Sequence, residues 1–178
     1  RGHINDDQDH YIQRIKRIYK ELFNIDVSLR KMASCGVFGF QIWSNDLVDY
    51  KSKILGLPLG KKIEFLAPSE IILNKELIKA FLRGYFDTDG CLYIENKNGK
   101  PYPRVEMATI SGQFAKQLEY MLTTLDFKFS SYVEKRDKYG WKDIFRVRIN
   151  GIKMSKKWFS EIKPANLKHI NRFKKLRL

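Results

Sequence analysis

A chain of 178 residues and 21.1 kDa, with 43% hydrophobic and 13% aromatic residues, carries enough apolar surface for one compact domain or two small ones, which excludes a disordered tail. Lys and Arg number 34 against 20 Asp and Glu, giving a formal charge of +14 and a sequence pI near 9.7, so a polyanionic partner is expected. The charge is spread through strands and loops rather than gathered on one amphipathic helix, which favours nucleic acid over a membrane surface.

No apolar run is long enough to span a bilayer, the polar residues 1–10 form no secretion signal, and two cysteines, Cys35 and Cys91, can build neither a disulfide framework nor a four-cysteine zinc site. The expected location is intracellular, in a reducing compartment of the cytoplasm or an organelle. His3, His10 and His169 lack the short spacing of metal-ligand pairs.

Taken in chain order, Ile12, Ile15, Ile18, Tyr19 and Leu22 fall on one face of a predicted helix over 11–23. Strands are expected at 27–32 and 37–43; in the second, Phe38, Phe40 and Ile42 alternate with Gly39, Gln41 and Trp43, so one face is buried. Ser44 and Asn45 offer caps for a helix that Gly56 and Pro58 end. Asn74 caps a predicted helix over 75–87, followed by strands at 92–95 and 104–110. A helix over 114–125, strands at 131–136 and 144–150, and a helix over 152–162 complete the series.

The order helix, strand, strand, helix therefore occurs twice. Leu22 aligns with Leu125 at an offset of 103 and Phe38 with Phe145 at 107, the difference fitting a longer hairpin through residues 138–141. The expected division is an incomplete first repeat, 1–63, and a complete second repeat, 64–178. A counterpart of the 75–87 helix in the first repeat would lie upstream of Arg1, so a truncated protein is expected, or a first unit that never had the helix.

Within 75–87 the apolar residues Leu77, Ile78, Phe81, Leu82, Tyr85 and Phe86 form two adjacent rows, and Ala80, Gly84 and Thr88 form a third of small residues that would let a second helix approach closely. Residues 82–90 read Leu-Arg-Gly-Tyr-Phe-Asp-Thr-Asp-Gly. A calcium loop built on Gly90 is excluded, since Tyr85 and Asn96 would stand where its terminal acids belong.

This nonapeptide resembles the motif of the LAGLIDADG homing endonucleases, matching at Leu82, Gly84, Asp87, Asp89 and Gly90, with aromatic Tyr85 and Phe86 in place of aliphatic residues. The elements that follow match the family's repeat, and the resemblance covers most of the chain. It implies an α+β fold of pseudo-symmetric repeats, α-β-β-α-β-β-α each, with saddle-shaped antiparallel sheets, the first repeat here lacking its first helix and strand. It also implies two motif helices packed at the centre, with the last acid of each motif, here Asp89, binding Mg2+ beside the scissile phosphates. A hard divalent cation suits carboxylate oxygens. Asp87 is expected to close the helix end. Family active sites include a lysine after the last helix of a repeat; Lys61 or Lys62 occupies that place in the first half, and Lys163 or Lys168 in the second. His3, Asn5, Thr109 and Ser111 are candidates to order water.

Strand parity puts Leu92, Ile94, Val105, Met107, Phe145, Val147 and Ile149 against the helices. Tyr93, Glu95, Arg104, Glu106, Arg146, Arg148 and Asn150 are left on the other face, with Arg30, Gln41 and Trp43 in the first half and Arg136 nearby as candidate DNA contacts. Arg and Gln can read guanine and adenine edges, and Glu106 can accept from cytosine. The basic tail, 163–178, suits phosphates.

Two functions follow. One is a site-specific, Mg2+-dependent double-strand DNA endonuclease of intron or intein origin, a monomer with two repeats if an upstream helix exists and otherwise a homodimer through the Ala80, Gly84, Thr88 row. The other is a catalytically inactive DNA-binding relative, or a maturase whose partner is intron RNA.

Overall fold

The computed structural model of the chain describes residues 2–32, 36–60, 65–137 and 140–176. Their elements run β1 (Gly2–His3), α1 (Gln8–His10), a π-helical turn (Tyr11–Ile15), α2 (Lys16–Phe23), β2 (Arg30–Met32), β3 (Val37–Gly39), α3 (Asn45–Asp49) and a second π-helical turn (Tyr50–Ile54). There follow α4 (Ser69–Ile72), α5 (Lys75–Asp89), β4 (Gly90–Lys97), β5 (Lys100–Thr109), α6 (Gly112–Thr124), β6 (Phe129–Glu134), β7 (Ile144–Asn150), α7 (Gly151–Glu161) and α8 (Leu167–Lys174). The fold is α+β. None of the described helices is long and apolar enough to cross a membrane.

The chain divides into two compact units, Arg1–Asn45 together with Pro164–Leu178, and Asp46–Lys163. In the larger unit four antiparallel strands pair in the order β4-β5-β7-β6. The register sets Leu92 opposite Val105, Val105 opposite Ile149, and Met107 opposite Val147, all five nearly or fully buried on the face that α5, α6 and α7 cover. Ile78, Leu82 and Phe86 of α5 pack there at spacing four, as do Phe114, Leu118 and Leu122 of α6. Trp158 of α7 is fully buried, its ring edge-on to Phe86 at 5.3 Å and to Phe127 at 5.6 Å.

Polar side chains fix where these helices begin and end. Asn74 Oδ1 accepts from the N–H groups of Glu76 and Leu77 at 2.9 and 3.2 Å, and Ser111 Oγ accepts from Phe114 N–H at 3.2 Å. The Lys157 ammonium donates to the carbonyls of Leu125 and Asp126 beyond the end of α6, and Arg83 Nε donates to the Ile162 carbonyl beyond α7 at 2.7 Å.

The smaller unit holds a three-stranded antiparallel sheet, β1-β3-β2. Tyr11 meets Phe38 and Phe40 edge-on, and Tyr19 meets Phe40 with ring centroids 4.9 Å apart. Here the sequence expectation needs correction: Ile12 and Leu22 are exposed, and Tyr11 is the buried residue. The π turn adds a residue to one turn of helix, which rotates the apolar stripe out of its regular period. The strands expected at 27–32 and 37–43 shorten to β2 and β3, and Ile94, expected in the core, is 36% exposed.

Candidate active site and nucleic-acid interface

At the end of the motif helix two carboxylates have different surroundings. Asp87 is buried, 2% exposed, whereas Asp89, the last residue of α5, is exposed. The Thr88 hydroxyl stands 2.8 Å from Asp89 Oδ2 but also within reach of the Gly84 and Tyr85 carbonyls, so its single proton has alternatives. Among the described residues Asp89 Oδ1 has no hydrogen-bond partner. Tyr85 Oη donates to the Ala108 carbonyl at 2.7 Å, tying the motif helix to β5; burial, then the Asp89 charge, push its hydroxyl well above the usual 10.0, so it stays a donor.

Gly90 is needed by the packing. Its φ of −87° and ψ of 165° turn the chain from helix directly into strand, with its N–H on the Phe86 carbonyl, and a Cβ there would meet Phe86 Cδ2 at 2.2 Å. Gly84 is different: a Cβ would have nothing within 4 Å. Leu77, Ala80, Gly84 and Thr88, at spacings of three or four, form an exposed row on α5.

The candidate lysines fare unequally. Lys61 and Lys62 lie outside the described residues. Lys168 belongs to the smaller unit, where its ammonium pairs with Asp7 Oδ1 at 2.8 Å; Asn166 Nδ2 donates to the same oxygen, and His3 N–H to Oδ2, each at 2.8 Å. Lys163 acts electrostatically on Glu76, at the first turn of α5, whereas Asp89 lies thirteen positions on, about 20 Å at 1.5 Å per residue. Lys163 therefore serves the opposite end of the helix from Asp89. Ser111, a candidate for ordering water, caps α6, and its own N–H is taken by Thr109 Oγ1 at 3.1 Å.

The open face of the four-stranded sheet carries a continuous polar network. Arg104 pairs with Glu95 and with Asn150 Oδ1, and Asn150 donates to Ser130. Arg146 binds Glu134 and Glu106, Arg148 binds Glu106, and the Arg148 guanidinium lies over the rings of Tyr93 and Tyr132 at 5.7 and 4.6 Å. Glu106 is 7% exposed, its carboxylate held between two arginines. In the smaller unit Arg30 donates to Gln41 Oε1, and Trp43 is 91% exposed. On the β6–β7 hairpin Arg136 stacks over Trp141 at 4.2 Å.

The profile of the LAGLIDADG-like domain family matches residues 76–163, from the first turn of α5 to two residues past α7. Residues 76–163 are a LAGLIDADG-like domain. The chain is also similar to three proteins of Methanocaldococcus jannaschii. One is a DNA polymerase, 28% identical over 141 residues, covering 78% of this chain and 7% of that protein. The others are a glutamine–fructose-6-phosphate aminotransferase, 21% identical over 83% of this chain and 13% of that protein, and a probable translation initiation factor IF-2, 26% identical over 80% and 13%. The chain thus spans about a tenth of the length of these relatives. A structure of mesophilic variants of the homing endonuclease I-DmoI aligns with 56% of this chain and 57% of its own at 21% identity and a TM-score of 0.36.

In this LAGLIDADG-like domain the residues that the linear motif singles out are joined by others it does not mark. Arg83 anchors the motif helix to the end of α7, and no sequence signal announces it, because the partner is a backbone carbonyl 79 positions away. Strand parity singles out Glu106, but its place between two arginines is not announced, for a related reason. Only the strand register places Glu106 opposite Arg148. Leu77, which the sequence sets in an apolar row with Phe81 and Tyr85 expected to pack against the sheet, is instead 46% exposed and lies one turn before Ala80 on the open side of α5.

Proposed function

We propose that this chain forms part of a site-specific, Mg2+-dependent double-strand DNA endonuclease, organised as two repeats over 1–63 and 64–178. The observation that carries the reading is on α5: the exposed Asp89 carboxylate follows directly on the exposed Leu77, Ala80, Gly84, Thr88 row. That row suits a second motif helix, from the same protein or from a second copy, whose own terminal acid would stand beside Asp89.

The donor set fits such a metal. Among the described residues, Asp89 Oδ1 is a hard carboxylate oxygen with no hydrogen-bond partner, and no group of three or more His, Cys, Asp or Glu competes for the ion. When bound, Mg2+ supplies an activated water and stabilises the leaving oxygen. Thr88 offers its hydroxyl to Asp89 as one of three acceptors, Gly90 lets the helix pass into β4 beside buried Phe86, and Tyr85 and Arg83 hold the helix in place. The polar face of the sheet lies in the major groove, and its cations and the basic α8 meet phosphates.

The relatives support an intein origin. A segment shared by a polymerase, an aminotransferase and a translation factor serves none of those three activities in particular. A mobile insertion, read through as part of its host, leaves that pattern.

Incubating wild type and Asp89→Asn with a randomised duplex library in Mg2+, and sequencing the cut ends, tests the proposal. Cut ends from wild type alone, with both proteins binding DNA, are expected. Binding without Asp89-dependent ends assigns the chain to DNA-binding relatives that do not cut, and a preference for structured RNA assigns it to maturases.

A further inference from the structure

Three arginines stand on the open face of the four-stranded sheet, and their nitrogen atoms are not equally committed. Arg104 has both Nη atoms bound, one to Asn150 and one to Glu95. Arg146 has all three nitrogens bound: Nε and Nη2 to Glu134, Nη1 to Glu106. Arg148 is bound only through Nε, to Glu106 Oε2. Among the described residues neither of its Nη atoms has a hydrogen-bond partner.

The chemistry of base readout distinguishes these states. Recognition of guanine uses two parallel N–H donors against O6 and N7; Arg146 and Arg104 keep unused N–H groups, but their Nη atoms already serve carboxylates or an amide, which compete with a base for the same edge. Arg148 need break nothing. Its guanidinium plane is fixed by the Tyr93 and Tyr132 rings and by Glu106 at the Nε edge, so little rotamer entropy remains to be lost on binding. Glu106 is itself nearly enclosed and accepts from both Arg146 and Arg148, and the Tyr93 hydroxyl lies 3.5 Å from Oε2.

We propose that Arg148 is the guanine-reading side chain of this sheet, that Glu106 is a positioning residue that aims it, and that Arg146 and Arg104 are internal counter-ions without a direct part in readout. The inference rests on the reading of this face as a DNA-contacting surface and adds the division of labour within it. It also reverses the sequence-based expectation for Glu106, whose carboxylate is spent on arginines and does not accept from cytosine.

Wild type, Arg148→Gln, Arg146→Gln and Glu106→Gln are each selected against a randomised duplex library without metal, and base preference is read position by position. Wild type is expected to prefer guanine at a defined position by about 5- to 150-fold, the range of one bidentate pair. Arg148→Gln loses that preference, and Arg146→Gln keeps it. Glu106→Gln, isosteric but neutral, weakens the preference several-fold while total affinity for DNA at low salt holds or rises, an outcome that loss of folding could not produce. Loss of the same preference in Arg146→Gln, or its survival in Arg148→Gln, overturns the proposal. An unchanged profile for a folded Glu106→Gln overturns the positioning role; if that variant fails to fold, the two arginine variants decide. Should wild type select no sequence at all, the DNA-contact reading fails and this inference falls with it, a result distinct from failure of the arginine assignment alone.

Discussion

Gly90 and Phe86 are in contact so close that a single methyl group does not fit between them: a Cβ at position 90 would lie 2.2 Å from Phe86 Cδ2 and 2.6 Å from its carbonyl oxygen. Phe86 is fully buried against Trp158 and cannot swing aside. Gly90→Ala is therefore expected to cost about 1 to 3 kcal/mol, the usual penalty of overpacking, visible as a lower midpoint in denaturant. A midpoint equal to wild type would show that the end of the helix has more room than this contact implies.

Gly84→Ala should behave in the opposite way. The added methyl meets nothing within 4 Å, and replacing glycine by alanine inside a helix is worth up to about 1 kcal/mol. The variant should be as stable as wild type or more so, yet lose double-strand cutting, because the methyl stands where a second helix would approach. Undiminished cutting by the stabilised variant would remove the Ala80, Gly84, Thr88 row from the docking surface.

Asp7 gives the smaller unit a defined response to acid. Burial acts to raise its pKa, but the bonds from Lys168, Asn166 and the His3 N–H outweigh it and hold the carboxyl below the usual 3.8. A folded pKa lower than the unfolded one means that the ionised form stabilises the fold above the unfolded value, and that this contribution is lost as pH falls through the folded value. Wild type should exceed Asp7→Asn in thermal stability near neutral pH, and the gap should close as pH drops below 3.8. A gap that stays constant through that window would show that the carboxylate charge is not what Lys168 and Asn166 hold.

Cys91 is an exposed free thiol whose cross-strand neighbour is Glu106, so it reports on the open sheet face without a foreign probe. Duplex DNA at low salt should slow its alkylation several-fold, read from the Cys91 peptide by mass spectrometry. Raising the salt should restore the rate as phosphate contacts are lost. Alkylation at the same rate with and without saturating DNA would place the DNA elsewhere on the protein.

Much of the larger unit is legible from the chain itself. The helix opened by Asn74, the apolar spacing of Ile78, Leu82 and Phe86, and the alternation in Val105, Met107, Val147 and Ile149 are local patterns, fixed by periods of 3.6 and 2 residues, and they place the core residues correctly. The smaller unit is less legible because its π turn breaks the helical period on which the expectation for Ile12 and Leu22 relied.

The amino-acid order alone determined the α+β class, the position of the acidic nonapeptide at a helix end, and the side of each strand on which charged residues stand, since each depends on neighbours a few positions away. Only the tertiary structure decided which charges are free. Asp87 is enclosed and Asp89 is exposed although they are two residues apart, because two positions turn about 200° round α5 and packing covers only the side on which Asp87 stands. Arg146 has a carboxylate on each of its three nitrogens and Arg148 on one alone, although they share one strand, because pairing with β5 and β6 sets one of them within reach of both Glu106 and Glu134. A charged side chain keeps or loses its capacity to bind a ligand according to partners that are distant in sequence, and the strand register that supplies them is a property of the folded chain.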